Sequence, residues 1–335
     1  MGEYQNRLMH DVGLPEAILF RMYEGEPFAD PIREQKALED IRWMLRFVAE
    51  GVTHDNPLVV EQLLSWMRRL LEGLRIEEFH VDLLLAATKA ELHDRYEDPV
   101  LDAFLATITG TVDTTIDRLL DDNPLASAQT AYLDALLTSD RHGAERIVKD
   151  LVEKDVSIED IYLFVFQETL RHIGQLWHTG QIHVGREHYA TSVTQYIMST
   201  LYPHIFTRST KSKRLLAAAV GSELHQIGIR MVADLFELDG WDTDFLGSNT
   251  PPEHLVAFAK EANPDVIALS ITMPYHLSAL NHTISLIKAE PALQDTKIMV
   301  GGLPFLLNPD LIHSTQADLY APDAKTGVAQ ANALL

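Results

Sequence analysis

The sequence predicts a multidomain α and α/β protein, with an N-terminal helical domain, a four-helix bundle and a C-terminal doubly wound parallel sheet. Three observations carry that prediction. Apolar residues recur every three or four positions through most of the first 200 residues, which is the period of amphipathic helices. From residue 215 onward the pattern changes to short β-favouring runs separated by helical stretches, as parallel strands joined by right-handed crossovers require. A length of 335 residues with 46% apolar composition suits two or three domains with buried cores.

The elements follow in order. Residues 1–125 are expected to form the helical domain, from stretches such as REQKALEDIRWMLRFVAEGV and PVLDAFLATITGTVDTTIDRLL. Asn56-Pro57 and Asp98-Pro99 read as helix starts, a capping residue followed by a first-turn proline. Residues 126–208 are expected to form the bundle. Asp140 opens one helix, Ser157 with Asp160 resembles a capping pair at the next, and Gly180 ends that helix before the last begins. RSTKSKR, Arg208 to Arg214, reads as a linker. Residues 213–335 then supply strands near 215–220, DTDFLG, DVIALS, KIMVGG and DLYA, with helices IGIRMVADLFEL, PPEHLVAFAKEA and HLSALNHTISLIKAE between them. A sheet of this kind binds ligands beyond the carboxyl ends of its strands.

Composition removes several function classes. The formal charge of −22 repels phosphate backbones and anionic lipids, so no nucleic-acid or membrane partner is expected. With no cysteine there is no disulfide, thiolate metal ligand, cysteine nucleophile or thioether-linked chromophore. No run approaches the roughly 18 apolar residues of a membrane span, and the first residues lack the pattern of a signal peptide. A soluble, cytoplasmic protein is the expectation.

The loop after the first strand lacks the G-x-G-x-x-G of dinucleotide-binding domains. It carries Glu223-Leu224-His225-Gln226-Ile227-Gly228 instead. His225 falls at the ligand-binding edge of the sheet, with Glu223 close enough to orient a ring N–H, as the partner of a metal-bound imidazole does. The plain alternative is a loop histidine facing water. Ser270 and Thr272 end a later strand, and Gly301-Gly302 end the next. Small residues there leave room for a bulky ligand tail to pass between strand and helix.

A second cluster lies in LWHTGQIHVGREHYA, residues 176–190. Trp177 falls in the last turn of one bundle helix. Val184, Glu187 and His188 stand at i, i+3 and i+4 on the next, and so share a face. The pattern fits an apolar lid (Trp177, Val184) over a polar floor (Glu187, His188), or a core tryptophan beside solvated histidines. A zinc site built from His172, His178, His183 and His188 is disfavoured, because the paired spacing of H-E-x-x-H is missing.

Taken together, Glu223, His225, Gly228, Ser270, Thr272, Gly301 and Gly302 resemble the pattern of cobalamin-binding domains over residues 128–335. That resemblance implies a flavodoxin-like (Rossmann-like) sheet under a helical cap. It implies a cobalt corrinoid with His225 as lower ligand in place of the cofactor's own base. Glu223 is a departure, since many corrinoid methyl carriers have aspartate there. The order Trp-x9-Glu-His also resembles light-sensing cobalamin domains. In that family Trp177 and Val184 would pack on the adenosyl group of adenosylcobalamin, and Glu187 and His188 would contact its polar atoms. His178 would be the upper cobalt ligand after light. The implied function is a light sensor, not an enzyme, that changes conformation or homo-oligomeric state and signals to an unknown protein. The first 125 residues lack the basic recognition helix of DNA-binding relatives. They resemble the photocobilins, implying non-covalent biliverdin as a second chromophore, with a structural or dimerising helical domain as the alternative. Two further functions stay open: a corrinoid methyl carrier of a methyltransferase system, and a light-independent cobalamin-responsive adaptor.

Overall fold

The structure is a computed structural model that describes residues 3–24, 31–73, 79–111, 122–206 and 211–334. The chain divides into two compact units, Met1–Thr115 and Ile116–Leu335. The first three linker residues, 208–210, lie outside the described set, as do residues 112–121, over which the apolar pattern predicts a continued helix.

The described part of the N-terminal unit is helical: α1 (Glu3–Met9), α2 (Leu14–Met22), α3 (Pro31–Thr53), α4 (Leu58–Gly73), α5 (Phe79–Tyr96) and α6 (Pro99–Thr107). Leu14, Ile18, Met44, Val48, Val60, Leu64 and Leu92 are buried at its centre. Both X-Pro starts are capped. The Asp98 carboxylate accepts from the Val100 and Leu101 N–H groups at 3.0 and 3.2 Å, and Asn56 Oδ1 accepts from Leu58 N–H at 3.1 Å. These bonds satisfy donors that a helix start leaves without partners. α6 stops at Thr107, short of the apolar pattern. The buried Glu61 carboxylate takes the N–H groups of Thr109 and Gly110 at 2.6 and 3.0 Å, and a helix continuing through these residues would spend them on its own carbonyls.

The second unit begins with a bundle: α7 (Ala126–Leu137), α8 (Arg141–Glu153), a long third member, and α11 (Val184–Thr200), followed by the short α12 (Tyr202–Ile205). Asp140 caps α8 through Gly143 N–H at 2.8 Å, and Ser157 Oγ accepts from Asp160 N–H at 3.0 Å. The long member is not uniform. It runs as α9 (Ile158–Asp160), a π-helical stretch Ile161–Gln167, and α10 (Glu168–His178). π-Helical backbone is rare and tends to mark functional sites. Tyr132, Tyr162, Phe166, Ile173, Val193 and Ile197 form the bundle core, joined by Met231 and Leu235 of the first sheet helix.

The sheet has β1 (Arg214–Val220), β2 (Asp242–Thr250), β3 (Val266–Ser270), β4 (Lys297–Gly301) and β5 (Leu319–Tyr320). All pairs are parallel and the order is β2-β1-β3-β4-β5. The helices are α13 (Ile227–Leu238), α14 (Pro252–Ala262), α15 (Leu277–Ala289), α16 (Leu303–Leu307) and α17 (Ala324–Leu334). Two apolar layers cover the sheet, one under α14 and α15 and one under α13 and α17. The multidomain α and α/β class predicted from the sequence is the observed one. In this strand order successive connections leave β1 and β3 in opposite directions, opening a crevice at their carboxyl ends, where ligands bind in such sheets. Two basic residues at the end of the linker are paired with carboxylates: Lys211 with Asp239, and Arg214 with Asp242. No described helix is long and apolar enough to cross a membrane.

Candidate functional site

The β1 loop and the segment after β3 meet at that crevice, and one side chain joins them. Glu223 is fully buried. Its Oε1 accepts from the backbone N–H of His225 at 2.9 Å and from the His225 ring Nδ1–H at 2.6 Å. Its Oε2 accepts from Thr272 N–H at 2.6 Å, Met273 N–H at 3.1 Å and His276 Nδ1–H at 3.0 Å. Five donors on one carboxylate outweigh the cost of burying its charge, and hold Glu223 well below the usual carboxylate range. An ionised carboxylate only accepts, which assigns the proton of both histidine Nδ1 atoms.

The loop is held to β2 as well. Ser222 N–H donates to Asn249 Oδ1 at 2.7 Å, and Asn249 N–H donates to the Glu223 carbonyl at 2.8 Å. Ser222 and Asn249 both sit at positive φ, 70° and 53°.

With Nδ1 engaged, His225 presents Nε2 on the exposed side of its ring, whose side chain is 60% exposed. The hydrogen bond to Glu223 raises its proton affinity, burial opposes this, and the Glu187 carboxylate adds to the rise. Glu187 of the bundle is therefore near enough for its charge to be felt at this loop. Among the described residues no three His, Asp or Glu side chains come together as a metal site. The loop therefore offers a metal a single nitrogen, which suits an ion that brings its remaining ligands with it.

The small residues line the neighbouring strand ends. Ser270 pairs with Gly301 in the β3–β4 register. Gly302 has φ of +107°, and a Cβ there would lie 1.9 Å from the Ile271 carbonyl oxygen. A side chain is thus excluded at that turn. A Cβ on Gly228 would meet nothing within 4 Å, so packing within the chain does not demand this glycine and space lies open beside α13.

In the bundle, Trp177 and His178 end α10, both half-buried, and Val184 opens α11 at 48% exposure. Glu187 and His188 bond to each other, Nδ1–H to Oε2 at 2.6 Å, and Glu187 Oε1 accepts from the Thr191 hydroxyl at 2.9 Å. The structure thus unites Glu223, His225 and Thr272 directly, and brings Glu187 within electrostatic reach of them. Sequence reasoning missed His276 and Asn249. His276 had one available signal, a histidine four residues beyond the Ser270-x-Thr272 strand end.

Residues 213–329 and 128–202 each match a family described as B12 binding domain. Dimethylamine corrinoid protein 1 of Methanosarcina acetivorans is 32% identical over 127 residues, 38% of this chain and 59% of that protein. Dimethylamine corrinoid protein 3 of Methanosarcina mazei is 30% identical over 127 residues, 38% of this chain and 75% of that protein. The monomethylamine corrinoid protein of Methanosarcina barkeri superposes with a TM-score of 0.56 at 17% identity, covering 63% of this chain and all of that one, a likeness of fold. The chain thus spans about 59% of the length of the first of these relatives.

These relatives overturn the expectation of an adenosylcobalamin light sensor, because they are corrinoid proteins named for methylamines. The biliverdin expectation was tied to the same light-sensing group and goes with it. The physical reason lies in what the motifs encode. Glu223, His225, Ser270 and the glycines build a holder for a B12 cofactor whatever reaction follows. Trp-x9-Glu-His describes a helix end beside a helix start, a geometry that does not specify a reaction.

Proposed function

The chain belongs to the family of B12-binding corrinoid proteins, and from that premise we propose that it is a methyl carrier within a corrinoid-dependent methyltransferase system. The observation that carries the reading is the Glu223–His225 pair, with one imidazole nitrogen held outward at the β1/β3 crevice. The residues present fit a corrinoid. The donor set is a single nitrogen of fixed tautomer, and the strand ends beside it carry only the small residues Ser270, Gly301 and Gly302.

A bound corrinoid supplies a cobalt centre that takes up a methyl group and gives it up again. His225 would hold that centre through Nε2, the ring nitrogen left open by the Glu223 bond. Glu223 fixes the ring tautomer and strengthens the nitrogen as a donor. Gly228, Ser270, Gly301 and Gly302 leave a slot for the cofactor's nucleotide tail, and Thr272 anchors the Glu223 carboxylate through its backbone N–H. Trp177, His178, Val184, Glu187 and His188, at the end of α10 and the start of α11, would contact the cofactor from the bundle. The substrate class we assign is a methylated amine, after the relatives, and the partner is the methyltransferase that delivers its methyl group.

Isotope-labelled dimethylamine tests this. The chain, reconstituted with reduced cobalamin and mixed with a dimethylamine:corrinoid methyltransferase, should acquire the labelled methyl group on its cobalamin. If the chain binds cobalamin tightly and the label stays in the amine, the methylamine reading is wrong.

A further inference from the structure

His276 stands apart in this site. Its ring is 2% exposed, at the start of α15, and Nδ1 donates to Glu223 Oε2 at 3.0 Å. Its Nε2 is buried with no hydrogen-bond partner. Buried polar atoms are almost always paired, so a histidine that leaves one nitrogen unmatched is kept for what the other does. A leucine would fill a similar volume without leaving an unmatched atom, and it would deliver no N–H to the carboxylate.

What Nδ1 does is directional. The two oxygens of Glu223 are divided between two loops: Oε1 takes the donors of His225, and Oε2 takes those of Thr272, Met273 and His276. A carboxylate is planar, so fixing Oε2 fixes the direction in which Oε1 meets the His225 ring. The two backbone donors come from adjacent residues, Thr272 and Met273. The imidazole comes from the next turn, Pro274–His276, and packs edge-on against the Tyr275 ring with centroids 4.3 Å apart. It is the third donor on Oε2 and the only one of the three that comes from a side chain.

We propose that His276 is a positioning residue for the lower cobalt ligand, acting through Glu223 on His225. The inference rests on the reading above only in taking His225 as that ligand, and it is independent of which methyl donor is used.

Two substitutions and a spectrum test it. H276L removes the donor at similar volume. H276N keeps an N–H close to the position of Nδ1. Each variant is loaded with hydroxocobalamin, and the histidine-bound and unligated forms are separated by absorbance. Nitrogen splitting in the paramagnetic resonance spectrum of the Co(II) state gives a second readout. H276L should bind in the histidine-bound form about tenfold more weakly than the parent, the scale of loss when a hydrogen-bond partner behind a metal ligand is removed, and H276N should recover most of that loss. Parent-like behaviour of H276L overturns the proposal, as does equal impairment of both variants. If H276L does not fold, H276N is compared with H276Q, whose amide N–H falls nearer the Nε2 position. Asparagine should then retain the histidine-bound spectrum and glutamine lose it, and equality of the two overturns the proposal. If the parent itself shows no nitrogen ligand, His225 ligation falls and this inference with it. If the parent shows the ligand and only H276L behaves as parent, His225 ligation stands and the role of His276 falls alone.

Discussion

Asp234 on α13 gives a pH dependence that can be worked from the structure. It is 3% exposed and accepts a hydrogen bond from the Tyr162 hydroxyl at 2.7 Å, fastening α13 to the π-helical stretch of the bundle. Burial raises its pKa from 3.8 to about 6, although Tyr162 and Arg230 pull the other way. The folded state thus holds its proton to higher pH than the unfolded chain. For a group raised in this way, the stabilisation is fully present below the unfolded value and is lost as pH rises through the folded one. Each pH unit between the two values is worth about 1.4 kcal/mol, which makes the whole effect about 3 kcal/mol. Most of it, roughly 2 kcal/mol, falls between pH 4 and 7.5. D234N does not titrate, and its amide oxygen still accepts from Tyr162. The difference in unfolding free energy, parent minus D234N, should therefore shrink by roughly 2 kcal/mol across that range. Hydrogen exchange of the peptide covering Ile227–Leu238 in graded urea reads this unit alone. Parallel pH profiles for the two proteins would refute the reasoning, because they would mean that Asp234 ionises alike in folded and unfolded chains.

Two further outcomes are expected. H225A removes one of the five donors on the buried Glu223 carboxylate while the backbone N–H of residue 225 stays in place, so about 1–2 kcal/mol of stability should be lost, a fall of roughly 2–6 °C in melting temperature. Bound cobalamin should lose its lower nitrogen signature, and a variant that kept the signature would dismiss His225 as the ligand. G302A forces a Cβ to within 1.9 Å of the Ile271 carbonyl oxygen at a φ of +107°. A loss of about 3 kcal/mol follows, a fall of roughly 8 °C in melting temperature for a unit of this size. A change below about 2 °C would show that the β3–β4 turn opens easily.

Much of the fold was legible because its signals are local. The caps at Asp98, Asp140 and Ser157 each bond within three residues of themselves, and the helix IGIRMVADLFEL begins and ends where its apolar pattern does. The Glu223–His225 pair was legible for the same reason, a separation of two residues. What stayed hidden depends on distant partners. His276 meets Glu223 across 53 positions and Tyr162 meets Asp234 across 72, distances over which a single sequence carries no pairing signal. The short reach of α6 has the same origin, since Glu61 lies 48 residues before Thr109. The functional misreading differs in kind. Trp177, Glu187 and His188 stand where the pattern puts them, yet their types and spacing record a place in the fold, and chemistry is decided by what occupies the site.

The π-helical stretch has a consequence for heredity and for engineering. A wider turn changes the angle at which the following helix leaves it. The side chains of α10, Trp177 and His178 among them, therefore take their compass bearing from residues 161–167 and not from their own sequence. One residue more or fewer there would swing that helix face by about 100° while barely altering its length. In this bundle a single-codon deletion within residues 161–167 would act as a rotation, and every composition-based reading of α10 would leave it unnoticed.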